Sequence, residues 1–269
     1  MIKVVKEDGT TEPYSEEKIR GSATRVGVPK ALQDSLMEEI RDRLFDGIGT
    51  REIFATIKSY LKKTGAPHLA AKYNLKTALA ELGPSGYPFE QFVSRLLAAI
   101  GYTTSTNQVL AGRCVTHEVD VIAKKEGQKF FVEAKFHKNI TQRTDIKVAL
   151  YIYARYLDLS EQAENGTSTY PWIVTNTRFS TDAISFAECR DIKVTSWGYP
   201  KGHGIMDLIE KTRLHPITIL DSLTREDMRR LMESQIVTCQ DLISSSVAYN
   251  LVNQTRLGEA VTQAKNICG

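Results

Sequence analysis

The spacing of apolar residues changes along the chain, and each change predicts a different element. Ile2-Lys3-Val4-Val5-Lys6 reads as a short strand, Glu7-Asp8-Gly9-Thr10 as a turn, and Thr11-Glu12-Pro13-Tyr14 as a second strand completing a small hairpin. Helical spacing then takes over. Ser15 reads as an N-cap ahead of Glu16, Glu17 and Lys18. After Pro29, the residues Leu32, Leu36, Ile40 and Leu44 share one face of a helix running to about Phe45, which Asp46-Gly47-Ile48-Gly49 stops. Thr50 caps a third helix with Ile53, Ile57 and Leu61 on one side. Gly65-Ala66-Pro67 breaks it, and a fourth helix from His68 to Leu82 ends at Gly83-Pro84.

Beyond the turn-forming Pro84-Ser85-Gly86-Tyr87-Pro88, a helix carries Phe89, Phe92, Val93, Leu96, Leu97 and Ile100 on its apolar face. Val109-Leu110 begins a strand. The runs His117–Ala123 and Phe130–Phe136, separated by Lys125-Glu126-Gly127-Gln128, read as two antiparallel strands. Asp145 to Leu159 is a long helix, 161–169 a polar loop, Trp172 to Thr175 a buried strand, Phe179 to Ala183 the entry to another helix, and Ile192 to Trp197 a last strand. This order implies an α/β/α layered domain with a mixed sheet. Short helices follow, at Met206 to Lys211, after a Thr224 cap, and from Asp241 onward. The turn Ser234-Gln235-Ile236 lacks the glycine of a helix-hairpin-helix, so this region reads as a packing or oligomerisation element. The expected class is α+β multidomain: a small hairpin with four helices at residues 1–83, an α/β/α core at 84–204 and a helical region at 205–269.

Composition narrows the classes. The chain has 269 residues, 42% hydrophobic and 25% charged, an ordinary globular balance. A net charge of +3 permits nucleic-acid binding without requiring it. Cys114, Cys189, Cys239 and Cys268 are widely separated and make no CxxC pair, which argues against a zinc ribbon or a disulfide framework. No apolar run approaches the ~20 residues of a membrane span, and a cytoplasmic location is the expectation.

Side chains alternate along a strand, so Glu133 and Lys135 point the same way. With the turn centred on Glu126-Gly127, Asp120 lies opposite Glu133. Two carboxylates that close repel unless a cation sits between them, and oxygen ligands favour Mg2+ or Mn2+. A lysine beside that cation could orient water and offset phosphate charge. The same residues also suit an ordinary solvated ion pair on a half-exposed strand. Asp120 followed by Glu133-Ala134-Lys135 resembles the Asp…Glu-x-Lys signature of restriction-endonuclease-like nucleases of the Mrr type. The order of elements over about 110 residues and the run Trp172 to Ser180 resemble that family too. The resemblance implies Mg2+ held by Asp120, Glu133 and the Ala134 carbonyl, with Lys135 positioning the attacking water and DNA as substrate. It also places Glu90 near the metal, where the alternative is a carboxylate complementing the helix dipole, and Gln142 close to the site. Lys124, Lys125, Lys129, Lys138, Arg143 and Lys147 are either phosphate contacts or a surface coat. Tyr151, Tyr153 and Tyr156 are better explained by a helix packed on a sheet than by base stacking. His117 reads as structural.

Residues 1–82 resemble the ATP-cone, a nucleotide-sensing domain. The carriers are Val4 to Gly9, Tyr14 to Ile19, Gly49-Thr50-Arg51-Glu52-Ile53 and Ala70-Ala71-Lys72-Tyr73. The resemblance implies ATP or dATP as effector, bound by Val5, Lys6, Lys18 and Thr50. Lysines offer point charges to phosphates, and a helix start offers free N–H groups. Glu7 and Phe54 depart from the family pattern, which often has Arg and His there. The expectation is a homo-oligomeric, nucleotide-regulated DNA endonuclease. Its rival is a nucleotide-responsive DNA-binding regulator whose nuclease fold is inactive.

Overall fold

The computed structural model describes residues 2–6, 9–83, 85–162 and 168–268. The expected turn residues Glu7-Asp8, Pro84 of the linker and 163–167 of the expected polar loop lie outside the described residues. The chain divides into two compact units, residues 1–75 and 76–269.

In the first unit, β1 (Lys3–Val5) and β2 (Thr11–Pro13) form the expected hairpin, with Val4 opposite Glu12. Helix α1 (Glu16–Arg25) starts at Ser15, whose hydroxyl accepts the Lys18 N–H at 3.3 Å. Helix α2 (Lys30–Arg41) buries Leu36, Met37 and Ile40, and ends before Phe45, which is exposed. Ile48–Gly49, expected only to stop a helix, forms β3, parallel to β1 in a sheet of order β2-β1-β3. Gly49 rather than Thr50 occupies the cap of α3 (Thr50–Lys63). Ile53, Ile57 and Leu61 pack into one core with Val4, Leu36, Ile40 and Leu69. The expected fourth helix is two: α4 (Pro67–Tyr73), with Pro67 in its first turn, and α5 (Leu75–Ala80). The break is at Asn74, a poor helix former whose side-chain oxygen accepts from Lys58 Nζ at 3.4 Å.

The second unit is built on a mixed five-stranded sheet. Helix α6 (Tyr87–Ala99) buries Phe89, Phe92, Val93, Leu96 and Leu97. Strand β4 (Thr103–Ala111) is longer than expected, because Thr103 to Gln108 are polar residues on an outer strand. Strands β5 (Thr116–Lys125) and β6 (Gln128–Lys135) form the central hairpin. A short β7 (Arg143–Thr144) precedes α7 (Ile146–Ser160), capped by Asp145. Then come β8 (Ser168–Thr175), β9 (Arg178–Phe179), α8 (Thr181–Cys189) and β10 (Lys193–Thr195). The sheet order is β10-β8-β6-β5-β4, with β4, β5 and β6 antiparallel and β6, β8 and β10 parallel. Helices α7 and α8 cover one face through Ala149, Ile152, Ala183 and Ala187 against Ile173 and Val194.

The remaining helices are α9 (Ile205–Thr212), α10 (Arg225–Glu233), α11 (Cys239–Ser244), α12 (Ala248–Leu251) and α13 (Gln254–Cys268). Thr224 caps α10 as expected, accepting the Asp227 N–H at 3.1 Å. These helices are tied to the start of the unit: Thr218 Oγ1 donates to the Ala78 carbonyl at 2.6 Å, and Arg95 Nε reaches Asp241 at 3.3 Å. Among the described residues no helix is long and apolar enough to cross a membrane.

Candidate active site and nucleotide site

The geometry of the site begins with a turn. Glu126 (φ 51°) and Gly127 (φ 76°) are both left-handed, the backbone of a two-residue hairpin loop that matches strand twist. That turn sets the register Ile122 to Phe131 and Val121 to Val132. One step further brings Asp120 opposite Glu133, and the Ala134 N–H donates to Asp120 Oδ2 at 2.8 Å. Strand β6 is the middle strand of five, so Glu133 is not on a half-exposed surface. Its side chain is 16% exposed and accepts from Arg155 Nη2 at 2.6 Å. Arg155 also donates to the Glu118 carbonyl at 3.1 Å. The solvated Glu133–Lys135 pair is therefore replaced by a largely buried Glu133–Arg155 pair.

Charge is crowded here. Burial, then the nearby Glu133 charge, pushes the Asp120 carboxyl up to about 6, against the Ala134 N–H and Arg155. Glu90, in the first turn of α6, rises to about 7 through burial and then the charges of Asp120, Glu118 and Glu133. Such mutual repulsion favours a cation. The donors at hand, the Asp120 and Glu133 carboxylates and the Ala134 carbonyl, are all hard oxygens and fit Mg2+ or Mn2+. Among the described residues no three His, Cys, Asp or Glu side chains are grouped to hold a metal by themselves. Backbone oxygen and water would complete such a shell.

Lys135 ends β6, partly buried, opposite Thr175. Among the described residues no carboxylate lies within ion-pair distance of its ammonium group. Behind it the chain is clamped. The His137 N–H donates to Asn176 Oδ1 at 2.8 Å, and Asn176 Nδ2 returns a bond to the His137 carbonyl at 2.7 Å. His137 Nε2 meets Thr144 Oγ1 at 2.9 Å, and Thr144 donates to Thr175 Oγ1 at 3.1 Å. Burial, then the Lys135 charge, pulls the His137 imidazole below its ordinary value, while a Gln142 hydrogen bond opposes them. Gln142 thus meets His137.

Other expected contributors are placed elsewhere. His117 Nε2 pairs with Asp158 Oδ2 at 2.7 Å, and Asp158 also accepts the Cys114 N–H at 2.7 Å, so this group fastens the β4–β5 turn to α7. Lys125 Nζ donates to the Ile100 carbonyl at 3.1 Å and Lys129 lies over the Phe131 ring. Tyr153 packs edge-on against Phe186 and Tyr156 donates to the Thr169 carbonyl, while Tyr151 is exposed. Arg155 escaped sequence reasoning. Its signal was a charge on the stripe Ala149, Ile152, Leu159 that α7 buries.

In the first unit, Val5 pairs with Gly49, immediately before Thr50 and the start of α3. Among the described residues no side-chain hydrogen bond caps the start of α3, and a helix start carries partial positive charge that attracts an anion. Lys6 Nζ and Lys18 Nζ converge on Glu12, at 2.8 and 2.9 Å from Oε2. Those two hydrogen bonds hold the Glu12 carboxyl below its ordinary value. The structure thus brings Lys6 and Lys18 together on Glu12, a residue that sequence reading did not single out. Phe54, where the family often has His, is partly exposed and packs on Tyr73, with ring centres 5.6 Å apart.

Three family models match consecutive stretches: an ATP cone domain at residues 2–78, a restriction endonuclease domain of the Mrr catalytic type at 83–198, and a domain described as AF1548-like, C-terminal, at 215–268. An uncharacterized protein of Archaeoglobus fulgidus is 38% identical over 180 residues, spanning 66% of this chain and all of the relative. A crystal structure titled as a protein of unknown function, AF1548, is 37% identical, with a TM-score of 0.60 over 69% of this chain and 99% of that one.

Proposed function

The chain belongs to the family of that Archaeoglobus fulgidus protein and joins an ATP-cone to an Mrr-type restriction-endonuclease domain, and from this premise we propose that it is a divalent-metal-dependent endonuclease acting on DNA under the control of ATP or dATP. One observation carries the reading. Asp120 and Glu133 face each other on the middle hairpin, and Lys135 follows at the next same-side position with no carboxylate beside it among the described residues.

Asp120, Glu133 and the Ala134 carbonyl would hold Mg2+ or Mn2+, and Glu90, whose carboxyl feels the charges of both, would act through water. A divalent ion bound there supplies Lewis acidity to a phosphodiester. Lys135 donates to the attacking water or to a phosphate oxygen. The strand end that carries this lysine is anchored two residues on, where Asn176 and Thr144 hold His137. Arg155 orients Glu133 and shields part of the carboxylate charge. In the first unit Lys6, Lys18, the Val5 backbone and the Thr50 end of α3 would receive the phosphates of ATP or dATP. The nucleotide would act by favouring one oligomeric state or one degree of access to DNA, which requires different affinities for the two states.

The test separates binding from chemistry. Wild type should nick supercoiled plasmid with Mg2+, and Lys135→Ala should retain DNA binding in a gel shift while losing cleavage. Intact binding in both, with no cleavage by wild type under any metal or nucleotide condition, would favour the DNA-binding regulator instead.

A further inference from the structure

We propose that Cys268 and Cys239 form a peroxide-reactive thiol pair, with Cys268 the attacking sulfur, Cys239 the resolving one and His215 the acid, closing a disulfide between α13 and α11.

Local structure assembles the three groups. Residues 215–217 run beside 237–239: the Ile217 N–H donates to the Val237 carbonyl at 3.0 Å and the Cys239 N–H to the His215 carbonyl at 2.8 Å. This clip puts His215 and Cys239 side by side, both with no solvent exposure. The last turn of α13 delivers Cys268, partly exposed, to His215, with Sγ 3.8 Å from Nδ1. Arg213 Nη1 holds the Cys268 carbonyl at 3.2 Å, which fixes that end of the helix. Cys239 Sγ donates to the Pro216 carbonyl at 3.7 Å, and Cys239 and Cys268 both flank His215 where α11 packs on α13, near enough for each thiol to shift the other's ionisation.

The charges are arranged for one thiolate and one thiol. The neighbouring Cys239 thiol, then His215, brings Cys268 down to about 5 against its burial. Cys239 moves well above its ordinary value, through the nearby Cys268 and then its own burial. Burial opposes a charge on His215, yet Cys268 and Glu210 together raise it to about 9. Glu210 Oε1 stands 3.8 Å from His215 Nε2, a buried nitrogen that has no hydrogen-bond partner within 3.5 Å among the described residues. On the other side of the ring, Nδ1 lies 3.2 Å from the Arg213 carbonyl and 3.8 Å from Cys268 Sγ, so a proton there is shared between the carbonyl and the sulfur. Among the described residues these groups do not form a metal cage.

The chemistry balances with hydrogen peroxide as oxidant. The Cys268 thiolate attacks one peroxide oxygen; an S–O bond forms, the O–O bond breaks, and the departing hydroxide takes the His215 proton and leaves as water. Cys239 then attacks the sulfenic sulfur; the S–S bond forms, the S–O bond breaks, and the hydroxide leaves with the Cys239 proton as a second water. Two sulfurs are oxidised and one peroxide is reduced. Partly exposed, low-pKa thiols beside a resolving cysteine are the ones that react this way, and disulfides inside a reducing cell are usually of this reversible kind.

The test uses the full reduced chain. At about pH 6 an ordinary thiol is ionised to well under 1%, whereas Cys268 is mostly thiolate; allowing for its lower intrinsic nucleophilicity, iodoacetamide should label Cys268 about ten-fold faster than exposed Cys189. With equimolar peroxide, peptide mapping without reductant should find Cys239 joined to Cys268. In Cys239→Ser, dimedone should trap a sulfenic acid on Cys268. Preferential labelling of Cys189 or Cys114, a linked peptide joining other cysteines, or no linked peptide at all would overturn the proposal. The wild-type map decides even if Cys239→Ser folds poorly.

Discussion

Replacing Arg155 with leucine removes one partner from a pair that is largely out of water, with 10% and 16% of the Arg155 and Glu133 side chains exposed. Two bonds go at once: the 2.6 Å contact to Glu133 and the 3.1 Å contact to the Glu118 carbonyl. Stripping one partner from a buried ion pair costs about 3–5 kcal/mol, because the surviving charge is left without compensation. The carbonyl bond adds about 1 kcal/mol. Asp120 and Glu90 already repel Glu133, so little local relaxation is on offer. A loss of about 3 kcal/mol or more is expected in EDTA, which lowers a urea midpoint by about 1 M or more at an m-value of about 2–3 kcal/mol/M. Tryptophan fluorescence is the assay. Both tryptophans of the chain, Trp172 and Trp197, lie in the second unit, so the signal reports that unit alone. Combining Arg155→Leu with Glu133→Gln should recover most of the loss, with a coupling energy of at least about 1.5 kcal/mol. Mg2+ should stabilise Arg155→Leu more than wild type, since the ion replaces a missing positive charge. A loss below about 1 kcal/mol, or an equal loss with and without the Glu133 carboxylate, would refute the assignment of Arg155 as the resident counter-charge.

Glu12→Gln should tighten ATP or dATP binding by roughly twofold to tenfold in calorimetry, because it frees Lys6 and Lys18 from an exposed internal anion; weaker binding would show that Glu12 assists the nucleotide. Asp158 is held at about 2 by His117 first and by the Cys114 and Val115 N–H groups. A depressed carboxyl stabilises the fold above its unfolded pKa of about 4 and loses that contribution as pH falls towards 2. Asp158→Asn should therefore be less stable than wild type at neutral pH and should show a flatter decline in unfolding midpoint between about pH 4 and 2. Asn176→Ala unclamps the strand end behind Lys135 and should lower cleavage more than DNA binding; a parallel loss of both would point to unfolding instead.

Local periodicity carried most of the fold. The Ile53, Ile57, Leu61 stripe, the capping residues Ser15 and Thr224, and the hairpin centred on Glu126-Gly127 all lie where their chemistry placed them. The opposition of Asp120 to Glu133 follows from the turn, because a two-residue loop leaves one register. Features set by distant partners were not legible. Two residues, Ile48 and Gly49, carry no strand signal until β1 lies beside them. Polar Thr103 to Gln108 look like loop because only an outer strand tolerates that pattern. Arg155 and Glu133 are far apart in sequence, and nothing local joins them. Glu12 meets Lys6 and Lys18 only once the hairpin and α1 are folded together.

The measurement that bears most directly on the central claim is plasmid cleavage by wild type and Glu133→Ala, with Mg2+ or EDTA and with or without ATP and dATP. The account requires nicking or linearisation by wild type with Mg2+, none with EDTA, none by Glu133→Ala, and a rate that changes when nucleotide is added. Cleavage that survives Glu133→Ala or EDTA would contradict it.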